Sequence, residues 1–251
     1  MIVLFTDFGL EGPYIGQMKA VLHVNAPGTV VVDLISDAPA HDPMLSAYLL
    51  AAYAVGFPDE AIFLGVVDPG VGGDRRAIVV RFAKQWFVGP DNGLVELLLR
   101  RHGTEIKVWE IVWKPENCSA SFHGRDIFSP IAARLARGEG PDMGTNEGDF
   151  RAIDKDSIRK PIWPDDLGKI IYFDRFGNAM TGIRADSLMT GETLQIRDYI
   201  LPVAETFTSV QSGDMFCYAN ANGLMEVAVN KGRAKEKQGF EVGGDVSVIK
   251  L

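Results

Sequence analysis

The chain has 251 residues, 47% of them hydrophobic, enough to bury a substantial core in one large domain or two smaller ones. Its net charge of -8 and lack of any Lys/Arg block exclude a surface built for phosphate backbones, so nucleic acid is not an expected partner. No apolar run is long enough to span a bilayer, and no basic stretch precedes the first strand, so a cytoplasmic protein without a membrane partner is expected.

Hydrophobic periodicity predicts a strand over Ile2 to Thr6, a helix over Gly16 to Val24, a strand over Val30 to Ile35 and a long apolar helix over Met44 to Val55. Strands follow at Ala61 to Val67 and Ala77 to Phe82, then a short helix at Leu94 to Arg101, a strand at Ile106 to Val112 and a helix at Ile127 to Arg137. This alternation is that of an α/β layer on a mostly parallel sheet. From Gly138 to Asp166 the pattern gives way to Gly, Pro, Asn and Asp with interleaved charges, which reads as a linker and divides the chain into domains at 1–160 and 161–251. Beyond it, short strand-like runs at Lys169 to Phe173, Thr193 to Ile196, Met215 to Ala219, Leu224 to Val229 and Val246 to Leu251 predict a small all-β barrel or sandwich.

Four segments carry chemistry. Asp68-Pro-Gly-Val-Gly-Gly-Asp-Arg75 puts a carboxylate and a guanidinium on a glycine turn between two apolar strands, where α/β proteins open their ligand crevice; a plain tight turn with a solvated Arg is the alternative. Thr6-Asp7-Phe8-Gly9 follows the first strand, and the Asp7 carboxylate suits either two hydroxyls of a ribose or the cap of the next helix. Of the four histidines, His123 alone sits among Gly, Arg and Asp, in the loop Ser121-Phe-His-Gly-Arg-Asp126. Phe173-Asp-Arg-Phe-Gly-Asn178 brings together an aromatic face and an amide edge that match an adenine, or else forms a β-turn. Phe87-Val-Gly-Pro-Asp-Asn-Gly-Leu94 is first of all a turn. Cys118 and Cys217 lie far apart without metal-ligand or disulfide-framework spacing, and no metal or cofactor is expected.

In this order, and together with Gly12-Pro-Tyr14-Ile-Gly16 and Asn222-Gly-Leu-Met-Glu226, these strings resemble the S-adenosylmethionine hydrolases, or SAM hydroxide adenosyltransferases, relatives of the fluorinase and chlorinase enzymes. The resemblance spans nearly the whole chain. It implies an N-terminal α/β domain, a C-terminal β-barrel, and a homotrimer with ligand sites between subunits. Carried over by residue, it implies a water-handling triad of Asp68, Arg75 and His123, a ribose carboxylate at Asp7, and amino-acid and adenine contacts from Asp174, Phe176 and Asn178. Asn222 and Glu226 fall on a further substrate-binding motif, although Asn220-Ala-Asn-Gly223 departs from the usual Asn-Ser form. The implied reaction is hydrolysis of S-adenosyl-L-methionine to adenosine and L-methionine. A sulfonium leaves as a neutral thioether, so displacement at ribose C5' needs no general acid. It needs a nucleophile made from water, whose pKa is about 15.7. Arg75 would stabilise developing hydroxide, with Asp68 and His123 as base. A non-catalytic adenosine or S-adenosylmethionine sensor is the alternative; a halogenase is a minor one, because the resemblance implies that halogenating relatives lack the Asp and His present at Asp68 and His123, and Gly124 stands where the fluorinase has a serine.

Overall fold

A computed structural model describes residues 1–102, 105–144 and 147–250, and the chain separates into two compact units, Met1–Pro161 and Ile162–Leu251. In the first unit Ile2–Thr6 forms β1, buried at every position, as expected of a central strand covered on both faces. The succeeding elements are α1 (Tyr14–Asn25), β2 (Val31–Ile35), α2 (Pro43–Tyr53), β3 (Ile62–Val66), β4 (Ala77–Phe82), β5 (Gln85–Pro90), α3 (Glu96–His102), β6 (Lys107–Ile111), α4 (Ser129–Ala136) and β7 (Phe150–Ile153). Helix α2 starts where Asp42 accepts a hydrogen bond from Leu45 N at 2.9 Å and Pro43 takes the first helical position.

The strands form one seven-stranded sheet in the order β2-β1-β3-β5-β4-β6-β7. Strands β1, β2, β3 and β5 are mutually parallel, β4 is antiparallel to both β5 and β6, and β7 is antiparallel to β6. Five of the seven therefore run the same way, and the sheet is mostly parallel. On one face, Ile2, Leu4, Ile62, Leu64 and Val66 share a core with Met18 and Leu22 of α1 and Ile131 and Leu135 of α4. The intervening Val3, Phe5 and Phe63 are equally buried on the other face.

Two strands of this sheet depart from the sequence reading. Strand β5 overlaps the Gly-Pro-Asp-Asn-Gly turn signal, which masks its last two residues. Strand β7 lies inside the stretch expected to be a linker: Phe150–Ile153 pairs with β6 as the sheet edge, with Phe150 buried and Arg151 and Ala152 exposed. An edge strand tolerates that polarity, so composition alone does not announce it. Thr145 and Asn146 of the expected linker, and Leu251 of the last expected strand, lie outside the described residues.

The second unit holds two antiparallel sheets. Strands β8 (Leu167–Phe173), β9 (Ala179–Arg184), β12 (Met215–Ala219) and β13 (Leu224–Val229) form one sheet in the order β12-β13-β9-β8. Strands β10 (Glu192–Ile196), β11 (Tyr199–Leu201) and β14 (Ser247–Lys250) form the other in the order β11-β10-β14. Bridges at both seams join the two: Lys169 pairs with Asp245, and Val203 pairs with Cys217. Ile170 N donates to Gly244 O at 2.8 Å and Cys217 N to Pro202 O at 2.9 Å, so the hydrogen bonding returns on itself and the unit is a small barrel. Leu194, Ile196, Cys217, Val227 and Phe240 fill its interior. Among the described residues no helix is long and apolar enough to cross a membrane.

Candidate active site

Parallel strands end on a common edge, and the loops leaving that edge build the site. Asp7 follows β1 and Asp68 follows β3. The carboxylate of Asp7 accepts a hydrogen bond from His41 N at 2.9 Å, and His41 adopts φ 60° to present that amide. The N-cap position of α1 is instead Pro13, with no side-chain cap, so capping is not what Asp7 does.

Asp68 and Arg75 form a close pair across the glycine turn. Arg75 Nε donates to Asp68 Oδ1 at 2.9 Å and to Oδ2 at 3.0 Å, while Arg75 Nη2 makes a further short contact with Oδ2. Their side chains are only 11% and 5% exposed, which rules out a solvated surface arginine. Arg75 Nη2 lies 2.8 Å from His123 Nδ1, and its guanidinium stands 5.3 Å from the centre of the Phe128 ring. Since a guanidinium only donates, His123 Nδ1 accepts, and the imidazole is the neutral tautomer with its proton on Nε2. Burial pushes the His123 pKa below its ordinary 6.5, and the Arg75 charge pushes the same way against the opposing pull of Asp68.

His123 enters a π-helical turn, Gly124–Phe128, that continues directly into α4. Ser129 Oγ donates to Gly124 O at 2.8 Å within this wide turn. Asp126 accepts from Ser119 N at 2.8 Å and pairs with Arg125, so the loop carrying His123 is tied at its base. It meets the Asp68 loop at Gly72: with φ +78°, a Cβ there would stand 2.5 Å from Ala120 O, so only glycine allows the two loops this approach.

Asp7, Asp68 and His123 line one cavity of about 320 Å³ in this unit, with Arg75 behind them. Its apolar wall was not singled out by the sequence reading. Phe8, Tyr14 and Phe122 meet with ring centroids 5.3 to 5.8 Å apart. His41, Val66, Val71, Ser121 and Gly124 complete the lining. Phe8 and Phe122 lie inside motifs read for their polar residues and Tyr14 inside a string that carries only the family resemblance, whereas His41 carries no sequence signal for its left-handed backbone. Among the described residues, no three His, Cys, Asp or Glu side chains converge as a metal centre requires.

The second unit places Asp174, Phe176 and Asn178 together in the β8–β9 turn, lining a separate cavity of about 460 Å³ with Phe207 and Tyr218. Both oxygens of Asp174 are occupied by Asn178, through its backbone N at 2.8 Å and its Nδ2 at 3.0 Å, which leaves the Asn178 carbonyl oxygen free of that clasp. Phe176 is 72% exposed, a ring with one face to offer. Asn222 lies apart in the β12–β13 turn, its backbone N bonded to Asn220 Oδ1 at 2.9 Å. Glu226 is buried on β13, where it accepts from Tyr218 Oη at 2.5 Å and Asn220 Nδ2 at 2.9 Å. It therefore stands behind Tyr218 rather than on the cavity wall.

Two family models match in sequence along the chain: the SAM hydroxide adenosyltransferase N-terminal domain over residues 2–144 and the C-terminal domain over residues 168–247. The chain is 37% identical to the (R)-S-adenosyl-L-methionine hydrolase of Thermus thermophilus, covering 99% of each, and 33% identical to that of Salinispora tropica, covering 97% of this chain and 95% of the relative. A crystal structure of an uncharacterized conserved protein from Thermotoga maritima superposes with a TM-score of 0.85 at 28% identity, covering 99% of this chain and 100% of that one. Likeness of this extent over both units, in sequence as well as fold, means that the chain belongs to the SAM hydroxide adenosyltransferase family.

Proposed function

We propose that this protein hydrolyses S-adenosyl-L-methionine to adenosine and L-methionine by attack of water at the ribose C5' carbon. The observation that carries the reading is the Asp68–Arg75–His123 cluster on the wall of a cavity that also holds Asp7. The relatives' name specifies the (R) configuration at sulfur, and the proposal extends to that epimer. Inversion at sulfur exchanges the methyl and aminoalkyl directions while C5' stays in place, so a site that grips both ends of the substrate tells the epimers apart.

Asp7 takes the ribose diol with the carboxylate that His41 N has oriented. Water lies between Asp68 and His123: the Asp68 carboxylate accepts its proton, and His123 Nε2–H faces the oxygen. Arg75 holds both partners in place, and its charge stabilises the hydroxide as it forms. The new O–C5' bond forms as the C5'–S bond breaks, and methionine leaves as the neutral thioether. Leaving-group protonation is unnecessary, and the chemistry uses no metal or cofactor.

The proposal also assigns a homotrimer in which Asp174, Phe176 and Asn178 of one copy, with Asn222 and Glu226 supporting them, complete the cavity of another for the adenine and amino-acid ends. It places the protein in the cytoplasm, consistent with its two free cysteines, Cys118 and Cys217. Incubation of the purified protein with each sulfonium epimer, with and without EDTA, tests the reading by chromatography. Equimolar adenosine and methionine from the (R) epimer, unaffected by EDTA, is the expected result. Tight binding without turnover would instead make the protein a sensor, and a 5'-halogenated nucleoside in the presence of halide would make it a halogenase.

A further inference from the structure

The strand order explains a motif that the reaction leaves unused. Strand β5 lies between β3 and β4, so the loop that carries both Asp68 and Arg75 must cross over the end of β5. At that end stand Asp91 and Asn92, directly between the two feet of the loop. Asn92 Nδ2 donates to Val67 O at 2.8 Å, the carbonyl immediately before Asp68. Asn92 Oδ1 accepts from Leu94 N at 3.2 Å, which fixes the amide's orientation. On the other foot, Asp91 N donates to Arg76 O at 2.9 Å, and the Asp91 carboxylate pairs with Arg76 through Nε at 2.7 Å and Nη2 at 2.6 Å, immediately after Arg75. Arg76 is anchored in turn to Ser157 Oγ and O, each at 3.1 Å. The seam beneath is tight: a Cβ on Gly89 would stand 2.3 Å from Gly65 O, so β5 is seated against β3 with no room for a side chain.

We infer that Asp91 and Asn92 are positioning residues that clamp the two ends of the 67–76 loop and so set the separation of the Asp68 carboxylate and the Arg75 guanidinium. The inference rests on the hydrolase reading for its catalytic consequence. Neither residue lines the cavity. Loosening either foot lets the Asp68–Arg75 pair drift from His123 while leaving Asp7 and its His41 amide where they are, and an error near 1 Å costs about a hundredfold in rate.

Two variants separate this role from a general need for a turn. Asn92→Asp keeps the oxygen that accepts from Leu94 N but removes the donor to Val67 O. Asp91→Asn keeps side-chain size and the backbone bond to Arg76 but removes the charge that holds the Arg76 guanidinium. Steady-state kinetics with S-adenosyl-L-methionine, adenosine binding by calorimetry, and an NMR titration of His123, assigned with His123→Gln, are the readouts. The groups facing that imidazole are Arg75, Asp68, Lys114 and Asp126, of which Arg75 is the largest charge influence. For each variant we expect kcat to fall roughly 10- to 100-fold, adenosine affinity to stay within about twofold, and the His123 midpoint to rise toward the ordinary imidazole value as Arg75 withdraws. A folded variant with wild-type kcat and an unmoved His123 titration overturns the inference, as does parallel loss of adenosine binding and kcat. If Asn92→Asp does not fold, Asp91→Asn decides the matter by the same criteria. Absence of turnover in the wild type would sink the hydrolase reading alone, because the His123 titration reports the clamp without any reaction.

Discussion

At the residue scale, the proposal has Asp68, Arg75 and His123 act on the nucleophile and Asp7 grip the nucleoside in ground and transition states alike. Substituting Asp68, Arg75 or His123 by Ala should therefore lower kcat by roughly 100-fold or more, while Asp7→Ala should chiefly raise KM. Steady-state kinetics on the four variants distinguish the two classes, and near-full kcat in His123→Ala would return that residue to a loop role. The tautomer imposes a pH dependence as well. Protonating His123 puts a proton on Nδ1, facing a guanidinium that can only donate, so the contact breaks. Because burial and Arg75 both lower the pKa, activity should be retained at neutral pH and lost on acidification with a midpoint below 6.5. The same protonation is easier in the unfolded chain than in the fold, so acidification through that range also reduces stability. A kcat profile that instead falls above 6.5 contradicts the assignment.

At the scale of elements, the site depends on loops that sit on rigid strands and touch at few points. Gly72→Ala should separate the Asp68 loop from the His123 loop, since a Cβ has Ala120 O at 2.5 Å and the backbone is left-handed. A kcat loss larger than the accompanying change in Tm is the expected signature. A second junction serves stability: Glu96, fully buried at the start of α3, accepts from Arg100 Nε at 2.8 Å, Arg159 Nε at 2.9 Å and Lys160 N at 3.0 Å. Burial raises its pKa, but these partners outweigh that effect and hold it lowered. Glu96→Ala leaves two arginines without their shared partner and should cost about 3–5 kcal/mol in urea unfolding. Wild-type stability in that variant would remove the junction from the account. The sequence displays β1, β3, β4 and β13 because burial on both faces makes them almost wholly apolar, with only Arg81 in β4 and Glu226 in β13 carrying charge. It hides β5 behind its own turn residues, β7 behind the polarity of an edge, and β9 behind the mixed Ala179-Met-Thr-Gly-Ile-Arg184. The polar residues gathered at the cavity, Asp7, Asp68, Arg75 and His123, all stand in motif strings visible in the sequence. The aromatic wall of Phe8, Tyr14 and Phe122 was not legible there, since its rings meet only after β1, α1 and the His123 loop have come together.

At the scale of the whole molecule, the residues that the proposal assigns to one substrate line two cavities, one in each unit. If copies share sites as proposed, an Asp68→Ala chain and an Asn178→Ala chain should each be inactive alone and regain activity when dissociated and reassociated together, because some interfaces pair two intact halves. Confirmed mixed oligomers without recovery would show that each chain builds its own site. The central claim, that water itself is the nucleophile at C5', is tested most directly by turnover of S-adenosyl-L-methionine in water enriched in oxygen-18, followed by mass spectrometry of the nucleoside. The account predicts adenosine carrying the label in its 5'-hydroxyl; unlabelled adenosine, or no adenosine, would contradict it.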